Sequence, residues 1–133
     1  MRYAVDHTVV LHVLHEGIEL STDHMVLAPT LVRSQVLEAL YGAVGRGELP
    51  REIGLERLGR FAAMKIRYLG DKVLRRRAWS LAEQLGWDST HPAEAVALAQ
   101  LQADAFVTLD AVLAAELDGV VETAPIEVLL QRG

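Results

Sequence analysis

The chain contains no cysteine among its 133 residues. Disulfides and thiolate metal sites are therefore excluded, and the composition is typical of a cytoplasmic protein. No run of apolar residues approaches the roughly 20 that a membrane helix requires. The chain also begins without a basic segment followed by an apolar stretch and a small-residue cleavage site, so we predict no signal peptide and no membrane partner.

Two common catalytic signatures are missing as well. The sequence has neither a glycine-rich phosphate loop nor the glycine-flanked serine of a nucleophile elbow. Its net charge is -5, which argues against non-specific RNA binding by the whole surface. About half of the residues are hydrophobic, which is enough for a substantial core.

Strand and helix patterns alternate along the chain, and 133 residues fit one domain, 1–133. The predicted strands are 2–6, 25–28, 66–69 and 105–109, with an additional edge strand at 119–122. The predicted helices are 7–16, 30–44, 50–62, 72–85, 90–101 and 112–117, with a terminal helical turn at 126–130. This order predicts an α/β fold with a parallel sheet covered by helices on both faces.

Two of the predicted strands end on a carboxylate, Asp6 and Asp110. Each residue alone is equally compatible with a helix N-cap, because Asp is favoured there. In open α/β sheets, however, ligands bind outside the carboxyl ends of the strands. Two acids delivered to that edge could share Mg²⁺, which takes oxygen ligands.

The order of these segments resembles the PIN-domain family of VapC-type toxin ribonucleases. The segments that carry the resemblance are 27–31, 35–40, 45–49, 77–86, 90–99 and 107–110. The resemblance implies a three-layer domain with a central parallel β-sheet flanked by helices. It also implies a metal-dependent endoribonuclease that uses Mg²⁺ or Mn²⁺, acts on RNA, forms a homodimer and is inhibited by a small antitoxin protein.

The family has four acids in its site, and only two are kept here. The first and fourth fall on Asp6 and Asp110, whereas the second falls on Gln35 and the third on Pro92. Metal catalysis needs charge to hold the cation and to lower the pKa of its water. The resemblance therefore implies a weakened endoribonuclease, or alternatively a catalytically inactive pseudo-nuclease that binds RNA or a protein partner.

Two nearby acids are candidates to replace the missing ones. Glu94 lies two residues after Pro92, and Glu38 lies three residues after Gln35 on the same helix face. Each also has a simpler interpretation, since Glu38 suits an exposed helix face and Glu94 suits the positive end of a helix. We predict Asp6, Asp110 and Glu94 as metal ligands, with Gln35 as a further catalytic residue and Glu38 beside them.

Three further polar residues lie close to these positions in the sequence. Thr8 follows Asp6 by two residues, and Thr108 precedes Asp110 by two, so both hydroxyls are expected to orient ligands or water. Strand periodicity predicts that Thr108 faces the same side as Asp110. His91 suits either a solvated helix start or a general base.

Basic residues cluster at Lys72 and at 75–77. Such a run is typical of a solvated helix face, but an RNA-backbone contact and an antitoxin contact are also compatible with it.

Overall fold

The computed structural model describes residues 1–130, and its strands are all short. The strands are β1 (Arg2–Val5), β2 (Met25–Pro29), β3 (Arg67–Leu69) and β4 (Ala105–Val107). The helices are α1 (His7–Glu16), α2 (Leu31–Gly45), α3 (Arg51–Ala63), α4 (Lys72–Leu85), α5 (His91–Gln102) and α6 (Ala111–Ala115), followed by a 3-10 helix, Ile126–Leu129. The predicted α/β order is confirmed.

The four strands form one parallel sheet in the order β3-β2-β1-β4. β1 is therefore an interior strand, with β2 on one side and β4 on the other. Val5, the last residue of β1, is in register with Val107, the last residue of β4. Because the strands are parallel, the chain leaves β1 and β4 side by side at the carboxyl edge of the sheet.

Alternate residues of the strands face two separate cores. On β1, Tyr3 and Val5 belong to the core that also contains side chains of α1, α2 and α3, whereas Ala4 belongs to the core formed with α4 and α5. On β4, Phe106 is fully buried in the second core. A sheet buried on both faces explains why its strands read as apolar runs without polar alternation.

The ends of α1 and α4 follow from residues visible in the sequence. Asp6 and Asp71 are the N-caps of these helices, and their side chains accept hydrogen bonds from backbone N–H groups of the first turns. Gly17 and Gly86 end the two helices in the left-handed conformation, at φ of 66° and 67°, which a glycine adopts without steric cost. The predicted bounds of both helices are confirmed.

The predicted edge strand at 119–122 is wrong. Gly119 has a φ of 75° and lies in a turn, so the chain reverses there instead of extending. Pairing with β4 begins later, as a single parallel bridge between Phe106 and Thr123. Two backbone hydrogen bonds flank that bridge. The N–H of Phe106 donates to the carbonyl of Glu122, and the carbonyl of Phe106 accepts from the N–H of Ala124.

β4 is shorter than the predicted strand 105–109. It ends at Val107 because the N–H of Leu109 turns toward α1 and donates to the hydroxyl of Thr8 at 3.0 Å. The expected strand alternation from Thr108 to Asp110 therefore does not apply, since both residues lie beyond the strand. The next helix is also displaced, from the predicted 112–117 to Ala111–Ala115.

Within residues 1–130, no helix combines the length and the apolar character needed to cross a bilayer.

Candidate functional site at the carboxyl edge of the sheet

Asp6 is the one charged residue that is buried in the described part of the chain, with 7% of its surface exposed. It follows Val5 directly, at the end of an interior strand that has β2 on one side and β4 on the other. A buried carboxylate is costly unless hydrogen-bond donors compensate for the lost water. The surroundings of Asp6 provide such donors.

Four hydrogen bonds converge on the carboxylate of Asp6. Its Oδ1 accepts from the backbone N–H groups of Thr8 and Val9, at 3.1 and 3.4 Å, and from the Thr8 hydroxyl at 2.5 Å. Its Oδ2 accepts from the hydroxyl of Thr108 at 2.5 Å. Hydrogen bonds to an ionised acceptor are short and strong, and the N-terminus of α1 adds a favourable dipole. The carboxylate is therefore fixed in position by the protein itself.

Thr8 in the first turn of α1 and Thr108 directly after β4 connect two segments that are distant in sequence, and we call this pair the threonine clamp. The hydroxyl of Thr8 accepts from the N–H of Leu109, and the hydroxyl of Thr108 accepts from the N–H of Asp110 at 3.1 Å. The two hydroxyl oxygens are 3.5 Å apart. The two hydroxyl groups of the clamp thus donate to Asp6, and their oxygens accept from the backbone of the segment that carries Asp110.

Asp110 is exposed and is the N-cap of α6. Its Oδ1 accepts from the N–H of Leu113 at 3.0 Å. Asp6 and Asp110 are therefore both helix N-caps, which confirms one interpretation of the sequence, and they follow two neighbouring strands. Their use as shared metal ligands stays a prediction.

The other predicted site residues lie on α2 and α5. On α2, Gln35 is half-buried and Glu38 is exposed. On α5, Pro92 and Glu94 are half-buried in the first turn, and His91 is exposed. The N-cap of α5 is Thr90, whose side chain makes no capping hydrogen bond, and the hydroxyl of the preceding Ser89 accepts from the N–H of His91 at 3.1 Å.

The predicted donor set for a divalent cation consists of the carboxylates of Asp6 and Asp110 at the same edge of the sheet. Within residues 1–130, no three acidic or histidine side chains are grouped closely enough to hold a metal ion, so Glu94 does not complete such a group with Asp6 and Asp110 here. Mg²⁺, however, commonly binds through one or two carboxylates and keeps several waters. Asp6, Asp110 and Glu94 as metal ligands all stay predictions.

A stacked pair beside the start of α2 was not predicted from the sequence. The guanidinium of Arg33 lies 4.3 Å from the ring centroid of Tyr68 on β3. Burial raises the pKa of the Tyr68 hydroxyl above its ordinary 10.0, and the positive charge of Arg33 opposes that rise. The residues are 35 positions apart in the chain, and only the pairing of β2 with β3 reveals that they meet.

The fold is similar to two solved structures. The crystal structure of PAE2754 from Pyrobaculum aerophilum matches with a TM-score of 0.71 and 18% sequence identity, over 96% of this chain and 94% of that one. The 2.2 Å structure of VapBC-1 from nontypeable Haemophilus influenzae matches with a TM-score of 0.65 and 11% identity, over 96% of this chain and 99% of that one.

Neither a family model nor a curated protein sequence matches the chain. The structural similarity nevertheless extends over nearly the whole chain, and the strand order places Asp6 and Asp110 at the carboxyl edge of a parallel sheet. These findings confirm the predicted architecture: the chain has a PIN-like α/β fold with a central parallel sheet flanked by helices.

Proposed function

We propose that the chain is a VapC-type, metal-dependent endoribonuclease with weakened activity. The observation that supports this proposal best is the buried carboxylate of Asp6, held by the threonine clamp next to the segment of Asp110. A carboxylate that is already fixed loses no conformational freedom when it binds a ligand. This pre-organisation is typical of a site that acts on a ligand at the sheet edge.

The chain's own residues would act by position and charge. Asp6 would hold a Mg²⁺ or Mn²⁺ ion from inside the sheet and Asp110 from its exposed rim, and the metal when bound would stabilise negative charge on an RNA phosphodiester under attack by water. Thr8 and Thr108 would keep the Asp6 oxygens in place. Gln35 would supply at most a neutral oxygen, and Pro92 supplies none, which is the physical reason for expecting slow cleavage.

Cleavage of a folded RNA tests the proposal. We expect Mn²⁺ to stimulate cleavage, EDTA to stop it, and Asp110→Asn to lower the rate by about a hundredfold, since charge stabilisation of this kind has that magnitude. Asn is a good N-cap, so this variant removes charge without removing the cap of α6. Asp118→Asn, at another exposed aspartate, is the matched control and should leave the rate unchanged.

Cleavage that survives both EDTA and Asp110→Asn would reject the metal mechanism and direct attention to His91 as an acid–base catalyst. Binding of RNA or a protein partner without any cleavage would instead support the second candidate, an inactive pseudo-nuclease. One observation favours that candidate: among the residues that the structure describes, no three acidic or histidine side chains are grouped closely enough to hold a metal ion.

We also propose that the chain forms a homodimer through α2 and α3 and binds a small antitoxin protein. The two helices enclose a groove of about 400 Å³ with mostly apolar walls. Leu37, Tyr41 and Leu55 line it and are 52%, 73% and 49% exposed. Large apolar side chains that are exposed side by side are typical of protein interfaces. The similarity to the VapBC-1 structure supports an antitoxin as a partner.

Replacing Leu37 and Tyr41 by Glu should convert the dimer to a monomer at micromolar concentration, because two charges would have to be buried in an apolar interface. Light scattering would measure the mass in solution. Val112→Glu is the control, since Val112 is 77% exposed but lies on α6. A wild-type monomer under the same conditions would refute the dimer.

A further inference from the structure

The outer face of α4 has an unusual combination of an exposed indole and unpaired positive charges. Trp79 is 65% exposed, and it lies in a shallow depression of about 1050 Å³. The side chains that line this depression are those of Lys72, Val73, Arg75, Arg76, Trp79 and Ser80. We call this surface the α4 face.

The cations of the α4 face are not neutralised within the part of the chain that the structure describes. The ion pairs in residues 1–130 are His15–Glu16, Arg46–Glu48 and Arg60–Glu56, all outside α4. Like charges three or four residues apart on a helix repel one another. Lys72, Arg75 and Arg76 have this spacing, so the helix carries an electrostatic cost that an anionic ligand would remove.

Trp79 is adjacent to these cations on the helix surface. Arg76 lies three residues before it and Arg75 four residues before it, and both spacings place side chains on the same side of a helix. The opposite side of α4 is filled with core side chains such as Leu74 and Ala78. The indole is therefore directed outward by the amphipathic pattern and has positive charge beside it.

We propose that the α4 face binds single-stranded RNA, with phosphates on Lys72, Arg75 and Arg76 and one base stacked on the indole of Trp79. Single strands are bound by this combination in general, because every base has a π-face and every nucleotide has a phosphate. The identification of the nucleic acid as RNA rests on the proposed function. The α4 face would hold a strand whose neighbouring segment reaches the acids.

The topology supports that connection. Lys72 comes three residues after the end of β3 and so lies within about 10 Å of it. The ends of β1 and β4, which lead to Asp6 and Asp110, are at the same edge of the sheet, two and three strands away, or roughly 10 and 15 Å. An acidic helical peptide fits less well, because such peptides bind in apolar grooves between elements. The α4 face belongs to one helix and offers only Val73 and Trp79 as large apolar side chains.

The proposal can be tested by fluorescence anisotropy in EDTA with a labelled oligouridylate about 12 nucleotides long, within the usual range of single-strand sites. We expect Trp79→Leu to weaken binding about tenfold and Trp79→Phe to weaken it less, since stacking requires an aromatic ring. Quenching of tryptophan fluorescence by the RNA should also be lost in Trp79→Phe. Circular dichroism checks that each variant is folded.

Charge variants give an independent measurement. Arg75→Gln with Arg76→Gln should reduce the slope of log K against log salt concentration by about 1.4, or roughly 0.7 for each phosphate that the protein no longer neutralises. Lys65→Gln with Arg67→Gln removes the same charge from exposed residues at the other end of β3 and should change neither affinity nor salt dependence. Equal weakening of RNA binding in both double variants would overturn the proposal, because it would show that only net charge matters.

Competition distinguishes the ligand classes. Polyglutamate or anionic vesicles that displace the RNA at equal charge concentration would also overturn the proposal, since neither offers bases to stack. Because binding is measured without metal, it does not depend on cleavage. If the α4 face binds RNA but no cleavage is detected, the proposed nuclease activity alone is rejected. If cleavage is unaffected by the α4 variants and no RNA binds in EDTA, the inference about the α4 face alone is rejected.

Discussion

Replacing Asp6 by Ala should lower the free energy of unfolding by about 3 kcal/mol, the sum of a lost helix cap and of buried donors left without an acceptor. The variant removes the acceptor of both hydroxyls of the threonine clamp and of the first N–H groups of α1. Urea unfolding followed by circular dichroism would measure the difference.

Asp110→Ala is the matched comparison. It also removes an N-cap, but Asp110 is exposed and its side chain accepts one hydrogen bond from the protein. We therefore expect a decrease of about 1 kcal/mol, which is the usual effect of a cap. If the free energy of unfolding decreases equally in the two variants, the hydrogen bonds from the threonine clamp to Asp6 add no stability beyond that of the helix cap. A more stable Asp6→Ala protein would show that burial of the charge costs more than its hydrogen bonds return.

The combination of Gln35→Glu with Pro92→Asp should strengthen Mn²⁺ binding at least tenfold and raise RNA cleavage about a hundredfold, because stabilisation of developing charge has that order of magnitude. Each change restores a carboxylate at a position where the VapC-type pattern has one. Calorimetry and a cleavage assay would measure the two effects. Gln102→Glu adds the same kind of charge at the far, exposed end of α5 and serves as the control.

The start of α5 should tolerate this substitution. The hydrogen bond from the N–H of His91 to the hydroxyl of Ser89 does not involve the substituted position. A carboxylate in the first turn also interacts favourably with the helix dipole. If the double variant is folded but gains neither affinity nor activity, the remaining geometry has also changed, and the site of this chain is no longer that of a nuclease. Such a result would favour the pseudo-nuclease.

The sequence predicted most of the fold because its signals were local. Asp71 and Gly86 mark the ends of α4 through their own conformational preferences, and the apolar runs of β1 and β4 identify buried strands. The prediction failed at 119–122, where two valines resemble a strand but Gly119 forms a turn. Strand propensity there was overridden by the tertiary position of the chain after α6.

The acids of the site could be predicted, but their hydrogen bonds could not. Thr8 and Thr108 were identified because each lies two residues from Asp6 or Asp110 in the sequence. The additional argument from strand periodicity was wrong for Thr108, because β4 ends at Val107. Their actual roles depend on β4 lying next to β1. Contacts between residues about 100 positions apart leave no trace in a single sequence, and the same is true of Arg33 and Tyr68.

The threonine clamp also determines when the site can exist. Thr108 donates to Asp6 across 102 positions of the chain, and contacts of such long range form only after the intervening segments have folded or docked. During synthesis the N-terminal part of a chain emerges first. A nascent chain therefore carries α1 to α5 while Asp6 still lacks the Thr108 hydroxyl and Asp110. For a protein proposed to cleave RNA, this order of assembly would protect its own messenger until translation has passed β4.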